Sequence, residues 1–305
     1  GLRQPWLAGL FALLTALAAF GIGNMVQANS VAESLKASFG IPAGASGLVI
    51  VALTAVVILG GITRIAEVTQ YLVPFMCLAY LVGAGTILVL HAGELPGAIE
   101  TVLASAFTGH AAVGGFAGAG VMQALRYGVA RGLFSNEAGL GSAPMVHATA
   151  RTDHPARQGL YGIFEVFVDT VLVCAATGLV VLVTGEWSRG ATGAALAARA
   201  FETGLPGVWG DVVVTTGILT FAFSTLLGWS FYGETASAYL LGTRCILPYR
   251  LAWLLAAYLG ATGSLHVVWD VADTLNGLMA LPNLVAVLLL SPVVVRSARE
   301  FGSLR

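Results

Sequence analysis

Three polar strings interrupt long apolar stretches of this 305-residue chain and could do chemistry. The first is Ser135-Asn136-Glu137, within GGFAGAGVMQALRYGVARGLFSNEAGLGSAPMVHATAR, a segment punctuated by Gly128, Gly132, Gly139, Gly141 and Pro144. Glycine and proline weaken a helix interior, while Ser, Asn and carboxylates prefer caps. This pattern predicts a helix over 118–133, an unwound Phe134–Glu137 and a second helix over 138–150. Irregular backbone at membrane depth survives only where it is buried in protein or lines a cavity. Its free carbonyls are hard ligands suited to a cation such as sodium.

The second string, Phe221-Ala-Phe-Ser224-Thr225-Leu-Leu-Gly-Trp229, puts two adjacent hydroxyls one helical turn before an indole. Hydroxyl oxygens are hard ligands suited to sodium. Ser and Thr in apolar helices also simply bond to their own backbone, so the pair alone decides nothing. The third string holds Asn24, Gln27 and Asn29 in FGIGNMVQANSVA. Asn24 and Gln27 are three apart and share a helix face. Two roles are open for Gln27: interhelical hydrogen bonding, or a substrate-facing amide that Gly21 and Gly23 allow to approach closely.

Other polar residues read more plainly. Glu165 and Asp169 share one helix face; carboxylates in spans are costly, and here function competes with pairing to Arg126, Arg131 or backbone donors. Asp270, Asp273 and Asn276 read as caps. Cys77, Cys174 and Cys245 form no CxxC pattern and read as free core thiols. Gly44-Ala45-Ser46-Gly47 is a GxSG string, but nothing places His110, His147 or His266 beside Ser46, and small-residue packing explains it better than a serine protease.

The elements that carry these residues must lie in a bilayer. The chain is 57% apolar and only 10% charged, with a mean hydropathy of +0.88. Soluble domains average about 25% charged residues, so this chain cannot cover a water-facing surface. Its net charge of −1 offers no basic face to nucleic acid. Charge-free runs of 29 (4–32), 27 (37–63), 26 (68–93), 22 (212–233), 19 (251–269) and 22 residues (274–295) match the roughly 20 that a span needs. The run 158–184, which carries Glu165 and Asp169, adds a seventh, and the broken segment an eighth.

Orientation follows from arginine placement. With Gly1 cytoplasmic, eight spans put Arg3, Arg64, Arg151, Arg157, Arg244, Arg250, Arg296, Arg299 and Arg305 inside, against Lys36, Arg189 and Arg199 outside. That obeys the positive-inside rule and makes both Gly1 and Arg305 cytoplasmic. The segments 92–117 and 185–210 become external loops with room for short helices. No low-complexity linker divides the chain, so 1–305 is expected to be one transmembrane domain.

These strings carry a resemblance. GIGNMVQANSVA, GGITRIAEVTQYLVPFMCLAY, RYGVARGLFSNEAGLGSAP, FAFSTLLGWSFYGE and NGLMALPNL resemble the alanine or glycine:cation symporter family of the amino-acid–polyamine–organocation superfamily, from about residue 5 to 296. The resemblance implies an all-α leucine-transporter-type inverted-repeat fold with about eight transmembrane helices here, one discontinuous. It implies sodium-coupled uptake of alanine or glycine by alternating access at the plasma (inner) membrane, with sodium as coupling ion and no other cofactor. By the same likeness Gln27, Phe134, Ser135, Asn136 and Trp229 bind substrate, Trp229 favouring small side chains, and Ser224 and Thr225 bind sodium.

The resemblance also implies a gap. The family's first broken helix, with its Gly-Thr-Gly-Asn type signature, and its second core helix have no match here. The chain is thus expected to supply the third to tenth core helices and only half of a pocket. A passive channel is the remaining rival, but it calls for rings of like residues around a pore, which the asymmetric polar set does not provide.

Overall fold

The computed structural model describes residues 2–107, 128–129, 131–264 and 266–303. Arg126, most of the expected helix 118–133, and the termini Gly1 and Arg305 used for orientation lie outside them. The described residues form an all-α bundle. Its helices are α1 (Pro5–Phe39), α2 (Ala43–Ile58), α3 (Gly61–Leu90), α4 (Leu95–Phe107), α5 (Ala143–His147), α6 (Pro155–Val183), α7 (Gly193–Gly204), α8 (Trp209–Leu241), α9 (Ile246–Thr262) and α10 (His266–Ser303). Short helices do occur in 92–117 and 185–210, as α4 and α7.

The span count corrects the expectation. Six helices among the described residues are long and apolar enough to cross a membrane, not about eight, and this overturns the leucine-transporter-type inverted-repeat assignment. The 27-residue run 37–63 accounts for one difference. Gly40 adopts a left-handed φ of 67° and caps α1, and Pro42 caps the start of a new helix that ends at Ile58; Gly61, at φ 71°, opens α3 in a new direction. What remains is the 16-residue α2, about 24 Å long at 1.5 Å per residue and short of a 30 Å hydrocarbon core. The broken segment accounts for the other, since its described parts are too short to span.

Helix α8 is central: α1, α3, α7 and α9 all pack on it. One core cluster joins α1, α8, α9 and α10 through Ile22, Leu226, Leu227, Trp253 and Met279; a second joins α3, α6, α7 and α8 through Tyr80, Ile87, Val180, Phe201 and Val214. Two spans are not uniformly α-helical. Ala19–Met25 in α1 and Phe167–Cys174 in α6 are π-helical, a wider winding that frees backbone acceptors and recurs at functional sites. The apolar faces left outward, such as Leu48, Val56, Leu255, Leu288 and Val294, suit lipid.

Candidate functional site

A cavity of about 540 Å3 lies between α3, α6, α8 and the segment 135–143. Ser135, Asn136, Ser224, Thr225 and Trp229 all line it, so residues up to 94 positions apart converge on one space. Glu137, Glu165 and Asp169 line it too, with Met76, Cys77 and Tyr232 among the apolar and aromatic wall. No lysine or arginine lines it among the described residues, so its electrostatics favour a cation or an ammonium group.

The break lies later than expected. Residues 131–136 are helical, so Phe134, Ser135 and Asn136 are not unwound. Glu137 adopts a left-handed φ of 55°, and Gly139 and Gly141 follow at 84° and 91°. A left-handed conformation costs a side-chain-bearing residue about 1–2 kcal/mol, so the surroundings must hold Glu137 there. They do so with several bonds. Asn136 Oδ1 accepts from the Ala138 amide (2.9 Å), the Leu140 amide donates to the Glu137 carbonyl (3.0 Å), and Asn283 Nδ2 of α10 donates to the Gly139 carbonyl (2.9 Å). Gly141 is wedged so tightly that a Cβ would fall 2.7 Å from Asn283 and 2.8 Å from Phe11. The second helix is only Ala143–His147, not 138–150.

Most of the polar side chains named above then find partners. Ser135 Oγ donates to Asp169 of α6 at 2.9–3.0 Å, and Asn136 Nδ2 lies 3.4 Å from Thr170 Oγ1. Glu165 pairs with His147 (3.3 Å), whose other ring nitrogen meets Gln158 at 2.8 Å. On α8, Ser224 and Thr225 both donate to the Phe221 carbonyl, at 2.8 and 3.0 Å. That uses their protons and leaves their oxygen lone pairs as acceptors, so backbone bonding and a cation-facing role coexist.

Other expected site residues sit elsewhere. Gln27 and Phe134 are not among the residues lining the cavity. Gln27 Nε2 donates to the Ile22 carbonyl at 3.0 Å, five residues back across the π-helical segment. Phe134 stacks on Trp269 (5.5 Å between centroids), and the Arg131 guanidinium lies over both rings while pairing with Asp273. Asp270, Asp273 and Asn276 are therefore not caps; they lie within α10. Asn24 and Asn29 bind the α9 backbone region, at the Trp253 carbonyl (2.8 Å) and the Gly260 and Gly263 carbonyls (3.3 and 3.2 Å). The three cysteines are free, but Cys174 is exposed rather than in the core.

Glu137 stood in the expected break, but sequence reasoning gave it no role in the site. Its Oε1 accepts from Trp229 Nε1 at 2.6 Å and its Oε2 from Ser142 Oγ at 2.5 Å. The available signal was a carboxylate beside glycines in an apolar segment, a combination that needs buried donors.

Comparison with known proteins shows the family. The sequence profile of the sodium:alanine symporter family matches residues 1–305. The chain is 47% identical over 299 residues to the sodium/alanine symporter AgcS of Methanococcus maripaludis, covering 97% of this chain and 65% of that protein. It is 43% identical over 303 residues to an uncharacterized transporter of Haemophilus influenzae, covering 99% of this chain and 66% of that protein. It is 35% identical over 303 residues to the probable sodium/glutamine symporter GlnT of Bacillus subtilis, covering 99% and 62%. The chain thus spans just under two thirds of these relatives' length. With the profile matching residues 1–305 and the described residues forming a multi-span helical bundle, this chain belongs to the sodium:alanine symporter family, whose members are membrane transporters.

Proposed function

We propose that the protein carries out sodium-coupled symport of small neutral amino acids, alanine or glycine, by alternating access in the plasma (inner) membrane, with the arginine-rich ends of its helices cytoplasmic. The observation that carries this reading is the facing of Ser224, Thr225 and Trp229 on α8 with Ser135 and Asn136 across one cavity. Hydroxyl lone pairs offer hard oxygen ligands to sodium. The three carboxylates on the wall favour the positive end of a zwitterion, whose ammonium must be paired once it leaves water. The substrate carboxylate finds no basic partner on this wall and needs donors from elsewhere. Trp229, 3% exposed, closes one side and limits the room for a side chain.

The test is uptake of labelled alanine by the full-length protein in liposomes under an inward sodium gradient. Accumulation above the external concentration, abolished when the gradient is collapsed, supports symport. Uptake that only equilibrates, with no dependence on the gradient, would mean a passive pathway. Competition by glycine and by glutamine, the solute in one relative's name, sets the substrate range.

A further inference from the structure

Trp229 could pack against α1 in more than one way, because an indole has broad two-fold freedom about its second side-chain torsion. Gly23 of α1 lies against its Cβ, Cγ and Cδ2 on one side, and Tyr232, three residues on along α8, meets the ring edge-on at 5.4 Å. Those contacts bound the ring on two sides, and neither of them pairs the indole N–H. A buried indole N–H needs an acceptor, and here it is Glu137 Oε1 at 2.6 Å. Among the described residues Glu137 has no ion-pair partner. Its other oxygen is held by Ser142, five residues on, so the carboxylate is gripped by α8 through one oxygen and by the far end of its own turn through the other. The left-handed φ of 55° at Glu137 is what ends that helix at this residue.

We propose that Glu137 is a positioning residue: its carboxylate fixes the Trp229 indole as the wall of the cavity, and through it sets the size of side chain the cavity accepts. The consequence for selectivity rests on the transport reading above; the orientation of the indole does not. A direct role for the carboxylate in holding the coupling cation is the competing outcome, and the two differ in what a glutamine does. Glutamine keeps an oxygen that accepts from Trp229 Nε1 and offers Ser142 an amide, but it carries no charge.

Two measurements decide between them on the full-length protein. In a nitrogen-15 tryptophan spectrum, the indole signal lost in Trp229→Phe belongs to Trp229. It should move upfield in Glu137→Ala and stay near its original position in Glu137→Gln. A signal unmoved in Glu137→Ala overturns the positioning. In alanine uptake, leucine and valine should gain about tenfold as competitors in both Glu137→Ala and Trp229→Phe, the factor that one lost charge-assisted hydrogen bond corresponds to. Glu137→Gln should restore the original preference. A Glu137→Gln protein that instead loses its sodium dependence as fully as Glu137→Ala does overturns the proposal in favour of direct cation binding. Wild-type protein that never accumulates alanine removes the transport reading, and the indole signal still decides the positioning.

Discussion

A Cβ on Gly23 would overlap the Cβ and Cγ of Trp229. The π-helical segment of α1 therefore rests directly on the residue that walls the cavity from α8. Gly23→Ala cannot fit without separating the two helices or turning the indole. Overpacking of this kind costs about 1–3 kcal/mol, so the variant should unfold at lower temperature in detergent and lose its preference for small substrates. An alanine tolerated with both properties intact would show that the helices do not meet this closely.

Trp229→Ala removes the wall and orphans the Glu137 acceptor together. The space opened admits several methylenes, each worth about 0.8 kcal/mol when buried. Leucine and valine should therefore gain on alanine in competition assays by more than in Trp229→Phe. An unchanged order of preference would take Trp229 out of the site.

Ser224 and Thr225 face the cavity with their protons already donated to the Phe221 carbonyl. Replacing both with alanine removes two oxygen ligands, and between helices it costs only the Ser224 Oγ–Met76 Sδ contact at 3.7 Å. The sodium concentration for half-maximal uptake should rise. By reciprocal linkage, apparent alanine affinity at fixed sodium should fall by the same coupling. Normal sodium dependence in the double variant would leave the hydroxyls with backbone bonding alone.

Arg250 of α9 grips Glu234 of α8 through Nε and Nη2, at 2.6 and 2.9 Å, and donates from Nη1 to the Leu59 carbonyl at the end of α2. The pair is 16% and 14% exposed, so Arg250→Ala should leave a largely buried carboxylate unpaired and cost roughly 3 kcal/mol. Arg250→Lys should recover only part, because an ammonium cannot reproduce the two-pronged contact. Arg64→Ala is the control: its pair with Glu67 is more than half exposed and worth at most about 1 kcal/mol. Thermal unfolding in detergent ranks the three, and equal melting temperatures would remove the clamp.

Membrane residence, the all-α class and the neighbourhood of the site were legible in the amino-acid order, because they depend on local quantities. A charge-free run states how long the chain can avoid water, and Gly139 and Gly141 announce a break near Ser135-Asn136-Glu137 whatever surrounds it. The residue at which the helix ends was not legible. That depends on Phe11 and Asn283 crowding Gly141 from distant helices and on Asn283 holding the Gly139 carbonyl, which together place the left-handed turn at Glu137. Run length also overstated the spans, since 37–63 reads as continuous until Gly40 and Gly61 take left-handed φ and cut it to α2. Gln27 shows the same limit: its helix face was readable, but only the π-helical winding offers its amide the Ile22 carbonyl. The partner of Trp229 lies 92 residues away. A hydrogen bond across that separation exists only once α1, α8 and α10 have packed, because packing alone removes the water that would otherwise satisfy both groups.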